Sequence, residues 1–166
     1  MSEKRKESNS QEQKKIKPKI EEAASEFLDG DKLKNILDFV AWLRANRISP
    51  QFKSKGPGGA SYTTRVCHIK IHRDSWHIWS TGLKGAYVND FLACEELKEI
   101  VSASLAPCEP CGHRCNSGQG FTMMVCGQEF NKICGCCPVR FHNPDAETLK
   151  IIKKVIETRN RNPGDK

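Results

Sequence analysis

Apolar residues recur at helical spacing in several segments of this chain. From Asp31 to Arg47, leucine, isoleucine and valine residues fall on one helical face, and Ser49-Pro50 follows as a stop signal. Asp90 to Ala106 shows the same spacing, and a shorter helix is expected around Glu21–Leu28. A last helix follows Asn143, which we expect to cap it, with Pro144 in its first turn. The pattern therefore predicts helices near both ends of the chain and one in its middle.

A strict alternation of apolar and polar residues predicts a β-hairpin between the first two long helices. Cys67, Ile69 and Ile71 alternate with His68, Lys70 and His72, and a turn near Arg73-Asp74-Ser75 leads into Trp76–Trp79. An even-length loop places Ile71 opposite Ile78 and His72 opposite His77, which keeps one face apolar. The other face then carries a candidate binding surface made of Lys70, His72, His77 and Trp79.

Other segments are expected to be loops, short strands or tail. Residues 53–60 are rich in glycine and are predicted to form a mobile loop, and a short strand is expected near Ala86–Val88. Residues 1–20 are polar and charged, so they cannot bury enough apolar surface to offset the entropy of ordering, and we expect a disordered basic tail. Residues 21–166 are predicted to form a single α+β domain, with a small antiparallel sheet, helices on one face and a cysteine-rich metal-binding region at 107–142 before the C-terminal helix.

Cysteine spacing is the strongest chemical signal. Seven of the nine cysteines lie between Cys108 and His142, and they include two C-x-x-C pairs, Cys108/Cys111 and Cys134/Cys137, with 22 residues between the pairs. Such turns bring two thiolates to one side of a loop, as each half of a tetrahedral zinc site requires. A strand over Phe121–Cys126 is expected to return the second pair to the first. The spacing therefore predicts one structural Zn²⁺ per chain, and a polar, glycine-rich segment that depends on it for its fold.

The ligand set and the metal both have alternatives. Cys115 competes for the fourth position, because Cys108, Cys111 and Cys115 can wrap three thiolates around one ion. His113 and His142 are weaker substitutes. The C-x-x-C-Gly geometry also suits a lone iron. Neither pair opens a helical pattern, as the active site of a disulfide oxidoreductase requires. The pattern therefore favours a role without catalysis.

Charge and hydropathy narrow the choice of partners. The net charge is +7, but the excess lies at the two ends of the chain. Residues 1–20 hold seven basic and three acidic groups, and residues 151–166 hold five basic and two acidic groups. The charges of the residues between them are balanced. A module that grips phosphates normally shows its basic excess on the folded body, so nucleic-acid binding through the tails is only weakly supported. The chain shows no apolar leader and no long apolar run, which predicts a cytoplasmic protein without a membrane partner.

Three motifs give the chain a resemblance to a known family. They are Cys108-x2-Cys111-x3-Cys115, Gly127-Gln-Glu-Phe130 before Cys134, and Phe141-His-Asn-Pro-Asp145 at the start of the last helix. Over residues 33–160 the chain resembles a family of small bacterial domains with no assigned activity. The resemblance implies a single α+β domain with a cysteine site, and it strengthens Cys115 as a ligand.

The sequence as a whole favours a zinc-stabilised binding or regulatory module. The first alternative is a thiol redox or metal-handling protein that uses the surplus cysteines chemically. The second is non-specific nucleic-acid binding through the basic tails. A protein partner is compatible with the zinc-stabilised module, and the sequence indicates no particular ligand.

Overall fold

The computed structural model describes residues 17–80, 95–108, 119–125, 128–134 and 139–161. Within them the architecture is α+β, with a five-stranded antiparallel sheet and a separate two-stranded one, as the sequence predicts. In chain order the elements are α1 (Ile20–Phe27), α2 (Gly30–Ala45), β1 (Gln51–Gly56), β2 (Gly59–Thr63), β3 (Cys67–His72), β4 (Ser75–Ser80), α3 (Glu95–Ser104), β5 (Phe121–Val125), β6 (Gln128–Ile133), β7 (Arg140–His142) and α4 (Ala146–Arg161). The strand expected near Ala86–Val88 and the start of the helix expected from Asp90 lie outside the described residues.

Helices α1 and α2 form a packed pair close to their predicted positions. An ion pair joins Arg44 to Glu21 at 2.6 Å. Helix α2 ends before the Ser49-Pro50 stop, because Arg47 adopts a left-handed conformation (φ 59°) and the Ile48 amide donates to the Leu43 carbonyl. This is a Schellman-type end. Helix α1 begins at Ile20, which is 2 % exposed, so the folded part includes the last residue assigned to the tail.

The large sheet has the order β1-β2-β3-β4-β7. The prediction of a mobile loop at residues 53–60 was wrong, because β1 and β2 pair as a hairpin through this segment, with Gly56 opposite Gly59. Pro57 and Gly58 supply the turn that the glycine-rich composition signals. The backbone at Gly59 lies so close to β3 that a Cβ there would be 2.0 Å from the Ile71 carbonyl oxygen.

The predicted β3–β4 hairpin is present, but its register differs by two residues from the expected one. His72 pairs with Ser75 and Ile71 with Trp76, so only Arg73 and Asp74 form the loop. The loop length is still even, which is why the two faces separate as predicted. His72 and His77 are diagonal neighbours rather than opposite each other.

One apolar core joins the sheet to the helices. The buried face of the sheet, which includes Ile69, Ile71, Trp76 and Ile78, packs in one cluster with residues of α1, α2 and α4. Trp76 is fully buried and its ring lies 6.4 Å from that of Phe39. The opposite face of the sheet keeps its polar side chains half-exposed or exposed.

The helix cap predicted at Asn143 is at Asp145 instead. The Asp145 carboxylate accepts a hydrogen bond from the Thr148 amide (2.8 Å), so Asp145 is the residue that precedes the first turn of α4. This hydrogen bond also lowers the pKa of Asp145. Asn143 has a positive φ of 44° and turns its side chain back onto β4.

Candidate functional site

Cys108 and Cys134, the first residues of the two C-x-x-C pairs, lie together in the structure. An antiparallel bridge pairs Pro107 with Ile133 between them. The Cys108 amide donates to the Lys132 carbonyl (2.6 Å), and the Cys134 amide donates to the Ala106 carbonyl (2.9 Å). Because each cysteine is one residue away from the bridged pair, both side chains project to the same side.

The two thiols form a small buried cluster of their own, distinct from the main core. Cys108 is 7 % exposed and Cys134 is 1 % exposed. The partly buried side chain of Trp79 packs against them. Trp79 belongs to the polar face of the sheet, so the cysteine cluster adjoins the predicted binding face.

A β-bulge in β6 lies shortly before Cys134, the residue that directly follows the strand. Phe121 pairs with Ile133 and Met123 with Phe130, which leaves two residues, Asn131 and Lys132, opposite Thr122. Lys132 has a φ of 59°, and its carbonyl receives the Cys108 amide. The backbone of Gly120 packs closely against that of Lys132, since a Cβ at Gly120 would lie 2.5 Å from the Lys132 carbonyl carbon. The bulge therefore lies at the point where β6 hydrogen-bonds with Cys108.

The remaining predicted ligands are not placed. Cys111, Cys115 and Cys137 lie outside the described residues, as does His113. Within the described ranges, no group of three or more histidine, cysteine, aspartate or glutamate side chains is arranged to hold a metal ion. His142, weighed as a substitute ligand, lies next to His77 instead.

The polar face of the large sheet brings Lys70, His72, His77 and Trp79 together, as the alternation predicts. Two cross-strand rows define it, listed here in strand order: Thr63, His68, Trp79 and Arg140 in one, and Ser61, Lys70, His77 and His142 in the other. Four of the five histidines of the chain lie on this surface. We call it the histidine face, and its members for the arguments below are His68, Lys70, His72, His77, Trp79, Arg140 and His142.

Sequence reasoning missed that Arg140 and His142 belong to the histidine face. Strand β7 is only three residues long and follows residues that carry no clear strand pattern. The available signal was local, since Arg140 and His142 flank the apolar Phe141 in a period of two. Phe141 pairs with Ile78 on the buried side, so its two neighbours must point to the polar side.

A directional chain of hydrogen bonds fixes the tautomers of His142 and His77. The Trp76 amide donates to Asn143 Oδ1 (2.9 Å), so the amide nitrogen of Asn143 faces His142 Nε2 (3.1 Å). His142 Nε2 must accept there, which places its proton on Nδ1, from where it is donated to His77 Nδ1 (3.1 Å). His77 therefore keeps its own proton on Nε2, where it is a donor.

This arrangement does not suit a metal between the two imidazoles. A metal-bound histidine donates the N–H of its other ring nitrogen to an acceptor. The other nitrogen of His142 faces the Asn143 amide, which is a donor. The pair is instead a hydrogen-bonded unit in which His77 Nε2 carries the remaining proton.

Burial and neighbouring positive charge lower the pKa of two residues of the histidine face, His77 and His72. The pKa of His77 is lowered to about 4, first by burial and then by the positive charges of His142, His72, Lys70 and Arg140. The pKa of His72 is also lowered, by burial and by Lys70 and His142. His77 is therefore neutral at pH 7.

A cleft of about 270 Å³ lies beside His142, between α3 and the start of α4. Ser104, His142 and Asp145 line it together with apolar side chains. The hydrogen bonds of His142 go to His77 and Asn143, and Asp145 caps α4. His142 and Asp145 thus bond to different partners and not to each other.

Comparisons with known proteins identify no relative: no family model, no curated protein and no solved structure matches the chain. The resemblance to small bacterial domains therefore stays a hypothesis based on the three motifs. Among the described residues, no helix combines the length and the apolar character needed to cross a membrane.

Proposed function

We propose that this chain is a zinc-stabilised binding module. The observation that carries the proposal is the pairing of Cys108 with Cys134, buried side by side and held by two backbone hydrogen bonds. These residues are the first members of the two C-x-x-C pairs, so the contact between them supports the expectation that the two halves of the site come together. Buried cysteines are common in protein cores, so the support for a metal comes from the place of these two residues in the C-x-x-C pairs and not from their burial.

The donor set fits zinc. Thiolates are soft ligands that select zinc or iron, and structural zinc sites take four of them in a tetrahedron. Cys108 and Cys134 supply one ligand from each half. Cys111 and Cys137 supply the other two, with Cys115 as the alternative for the fourth position. Three residues of chain are enough to return a second thiolate to an ion bound at the first.

The alternative, a thiol redox or metal-handling protein, requires cysteines with different properties. A reactive cysteine must be partly exposed and reach its thiolate form easily. The burial of Cys108 and Cys134 supports a structural role for these two. The alternative would then have to rest on other cysteines, which are Cys94, Cys115, Cys126 and Cys136 if the buried Cys67 is left aside.

The test is a joint measurement of metal content and reactive thiols on protein purified anaerobically without chelator. We expect one zinc per chain, with four thiols that react only after the metal is removed. Iron in place of zinc would be recognised by its colour and would change the metal assigned but not the site.

A matched pair of variants separates the site from general damage to the fold. Cys108→Ser is expected to lose the metal. Cys67→Ser changes a buried cysteine of β3 that lies outside the cluster, and this variant is expected to retain the metal. Metal-free protein with nine reactive thiols would contradict the proposal, and so would equal metal content in both variants.

A further inference from the structure

The cleft between α3 and the start of α4 has an apolar lining that the rest of the fold holds in place. Phe141 is 4 % exposed and belongs to the main core, and Pro144 is buried. The Pro144 carbonyl also accepts a hydrogen bond from the Asn35 side chain of α2 (3.4 Å). Ile100 and Ala103 of α3 complete the apolar lining. A ligand with a hydrocarbon part would therefore meet a surface that is already formed.

Negative charge borders the same cleft. The Asp145 carboxylate is exposed, and hydrogen bonds from Thr148 lower its pKa, so it is ionised at neutral pH. Helix α3 brings its C-terminal end to the cleft at Ser104, and this end carries partial negative charge with no basic residue in its last turn. The carboxylate also offsets the positive N-terminal end of α4. The cleft thus presents one full and one partial negative charge around its apolar lining.

The described lining of the cleft supplies no cation to balance this charge. It includes neither lysine nor arginine. His142 donates from Nδ1 to His77 and accepts at Nε2 from Asn143, so it is neutral in this arrangement and has no N–H left for the cleft. None of the ion pairs among the described residues involves Asp145. The carboxylate is therefore open to a cation from outside the chain.

We propose that this cleft binds a small organic cation, with an ammonium group on the Asp145 carboxylate and a hydrocarbon part against Phe141 and Ile100. The volume of about 270 Å³ lies below the usual range for drug-sized ligands and suits a short alkyl amine. An anion would be repelled by the carboxylate, and a neutral molecule would leave it unused. The proposal goes beyond the zinc-stabilised module, because the cleft shares no residue with the cysteine cluster.

The test is a titration of the full-length, metal-loaded chain with n-butylammonium chloride, followed through the amide chemical shifts in heteronuclear NMR spectra. We expect saturable shifts at Ala103, Ser104 and Thr148. The matched neutral and anionic probes are n-butanol, which is expected to bind more weakly, and butyrate, which is expected not to bind.

An ammonium group can come from a free amine or from the lysine side chain of a partner protein. Titration with Nα-acetyl-lysine amide distinguishes these sources, because it presents the lysine side chain at the end of a peptide unit. Binding as strong as that of n-butylammonium would assign the cleft to a lysine side chain. Binding of n-butylammonium alone would assign it to a free amine.

Asp145→Asn and Asp38→Asn form the matched pair of variants. Both remove one carboxylate charge, but Asp38 lies exposed on α2 and outside the cleft lining. Asparagine caps helices about as well as aspartate, so Asp145→Asn is expected to keep α4. Losing an exposed ion pair is expected to weaken n-butylammonium binding roughly 2- to 5-fold and to reduce its dependence on salt. Asp38→Asn is expected to match the wild type.

The apolar part of the cleft is tested separately with Ala103→Leu. Ala103 is exposed on α3, and leucine is a good helix former, so the helix is expected to persist. The larger side chain would occupy the space of the hydrocarbon part, and saturable binding is expected to be lost. Thermal unfolding of each variant checks that the fold is retained.

Several outcomes would overturn the inference: no saturable shifts with n-butylammonium, equal binding of n-butanol, or Asp145→Asn binding as tightly as the wild type. The proposed function is judged independently by the metal. One zinc per chain without amine binding refutes the cleft as a cation site alone. Amine binding by a metal-free chain refutes the zinc site alone.

Discussion

Single side chains decide how the histidine face behaves. Alternation in β3 and β4 predicts which residues share the face, because successive side chains of a strand point to opposite sides. It does not predict the contact between His77 and His142, since these residues are 65 positions apart and meet only when β7 pairs with β4. The role of Asn143 was likewise out of reach, because a capping residue and a residue that bonds back to a strand look the same in sequence.

The pH dependence of stability follows from His77. Its pKa is about 4 in the folded protein, below the ordinary value near 6.5, so the unfolded chain takes up the proton first as the pH falls. Folding stability is therefore expected to be intact above about pH 6.5 and to decline toward pH 4. The facing groups that oppose protonation are His142, His72, Lys70 and Arg140.

Urea unfolding at several pH values measures this effect. His77→Gln cannot titrate, so its stability is expected to change less between pH 7 and pH 4.5 than that of the wild type. Because the lowered pKa of His72 acts in the same direction, some pH dependence should persist. Identical slopes for the variant and the wild type would refute the assignment.

Tyr62 ties the start of α1 to the sheet. Its hydroxyl donates to the carbonyls of Pro18 (3.1 Å) and Lys19 (3.2 Å), and the side chain is 2 % exposed. Tyr62→Phe is expected to reduce the free energy of unfolding by about 1 kcal/mol, the usual net value of such a hydrogen bond. Thermal unfolding compared with the wild type measures the loss.

The ionisation of Tyr62 gives an independent test of its burial in the folded protein. Burial, followed by the charges of Glu22, Glu21 and Glu26, raises its pKa to about 12. Because the folded state keeps the phenolic proton longer than the unfolded state, stability is expected to fall as the pH rises from about 10 to about 12. Ultraviolet titration should show one late-ionising tyrosine that is absent in Tyr62→Phe.

At the level of elements, the sequence predicted the helices and strands whose formation depends on the pattern of apolar side chains. It failed for the features that depend on backbone pairing. The long helix α2 and the β3–β4 hairpin follow from apolar spacing, and both were predicted. The β1–β2 hairpin was missed, because Gly56, Pro57, Gly58 and Gly59 resemble a loop when no pairing partner is visible. The bulge at Asn131 and Lys132 carries no sequence signal of its own, since it arises from the pairing of β5 with β6.

Gly120 is predicted to be the least replaceable of the described glycines near the cysteine cluster. It has a φ of 61°, and a Cβ would lie 2.5 Å from the Lys132 backbone. Gly120→Ala is expected to lower the free energy of unfolding by at least about 1–2 kcal/mol, the cost of a left-handed non-glycine residue. It should also weaken metal retention, because Lys132 accepts the hydrogen bond of Cys108.

Gly58→Ala is the control for this substitution. A Cβ at Gly58 meets no atom within 4 Å, so the variant is expected to stay within about 0.5 kcal/mol of the wild type. Chemical denaturation and metal content would be measured on both variants. Equal behaviour of the two would show that the contact between Gly120 and Lys132 does not support the cluster.

At the scale of the whole molecule, the described residues form a main apolar core and a smaller, separate cysteine cluster. The main core spans the large sheet and three helices, whereas Cys108 and Cys134 form a separate cluster with Trp79. The α+β class was predictable from the order and period of the segments. The pairing of residues 105–108 with β6 on one side and with Val139, next to β7, on the other was not predictable. Isolated bridges such as Leu105 to Val139 depend on tertiary packing.

This division predicts a local response to metal removal. Treatment with a chelator is expected to increase hydrogen exchange at the amides of Cys108 and Cys134, while the paired amides of β3 and β4 stay protected. Their pairing belongs to the large sheet and its apolar core. Exchange measured by mass spectrometry with and without chelator tests this. Loss of protection throughout β3 and β4 would show that the core depends on the metal.

The two backbone hydrogen bonds around Pro107 and Ile133 have a consequence for affinity. An ion that joined Cys108 to Cys134 in a free chain would have to close a loop with 25 residues between the ligands. The length-dependent part of that entropic cost, (3/2)RT ln n, is roughly 3 kcal/mol, or about two decades in a dissociation constant. Because the strand bridge already holds the loop closed, an ion at the proposed site would meet a raised local concentration of thiolates. The strength of metal binding would then be set partly by backbone pairing, at residues that never touch the metal.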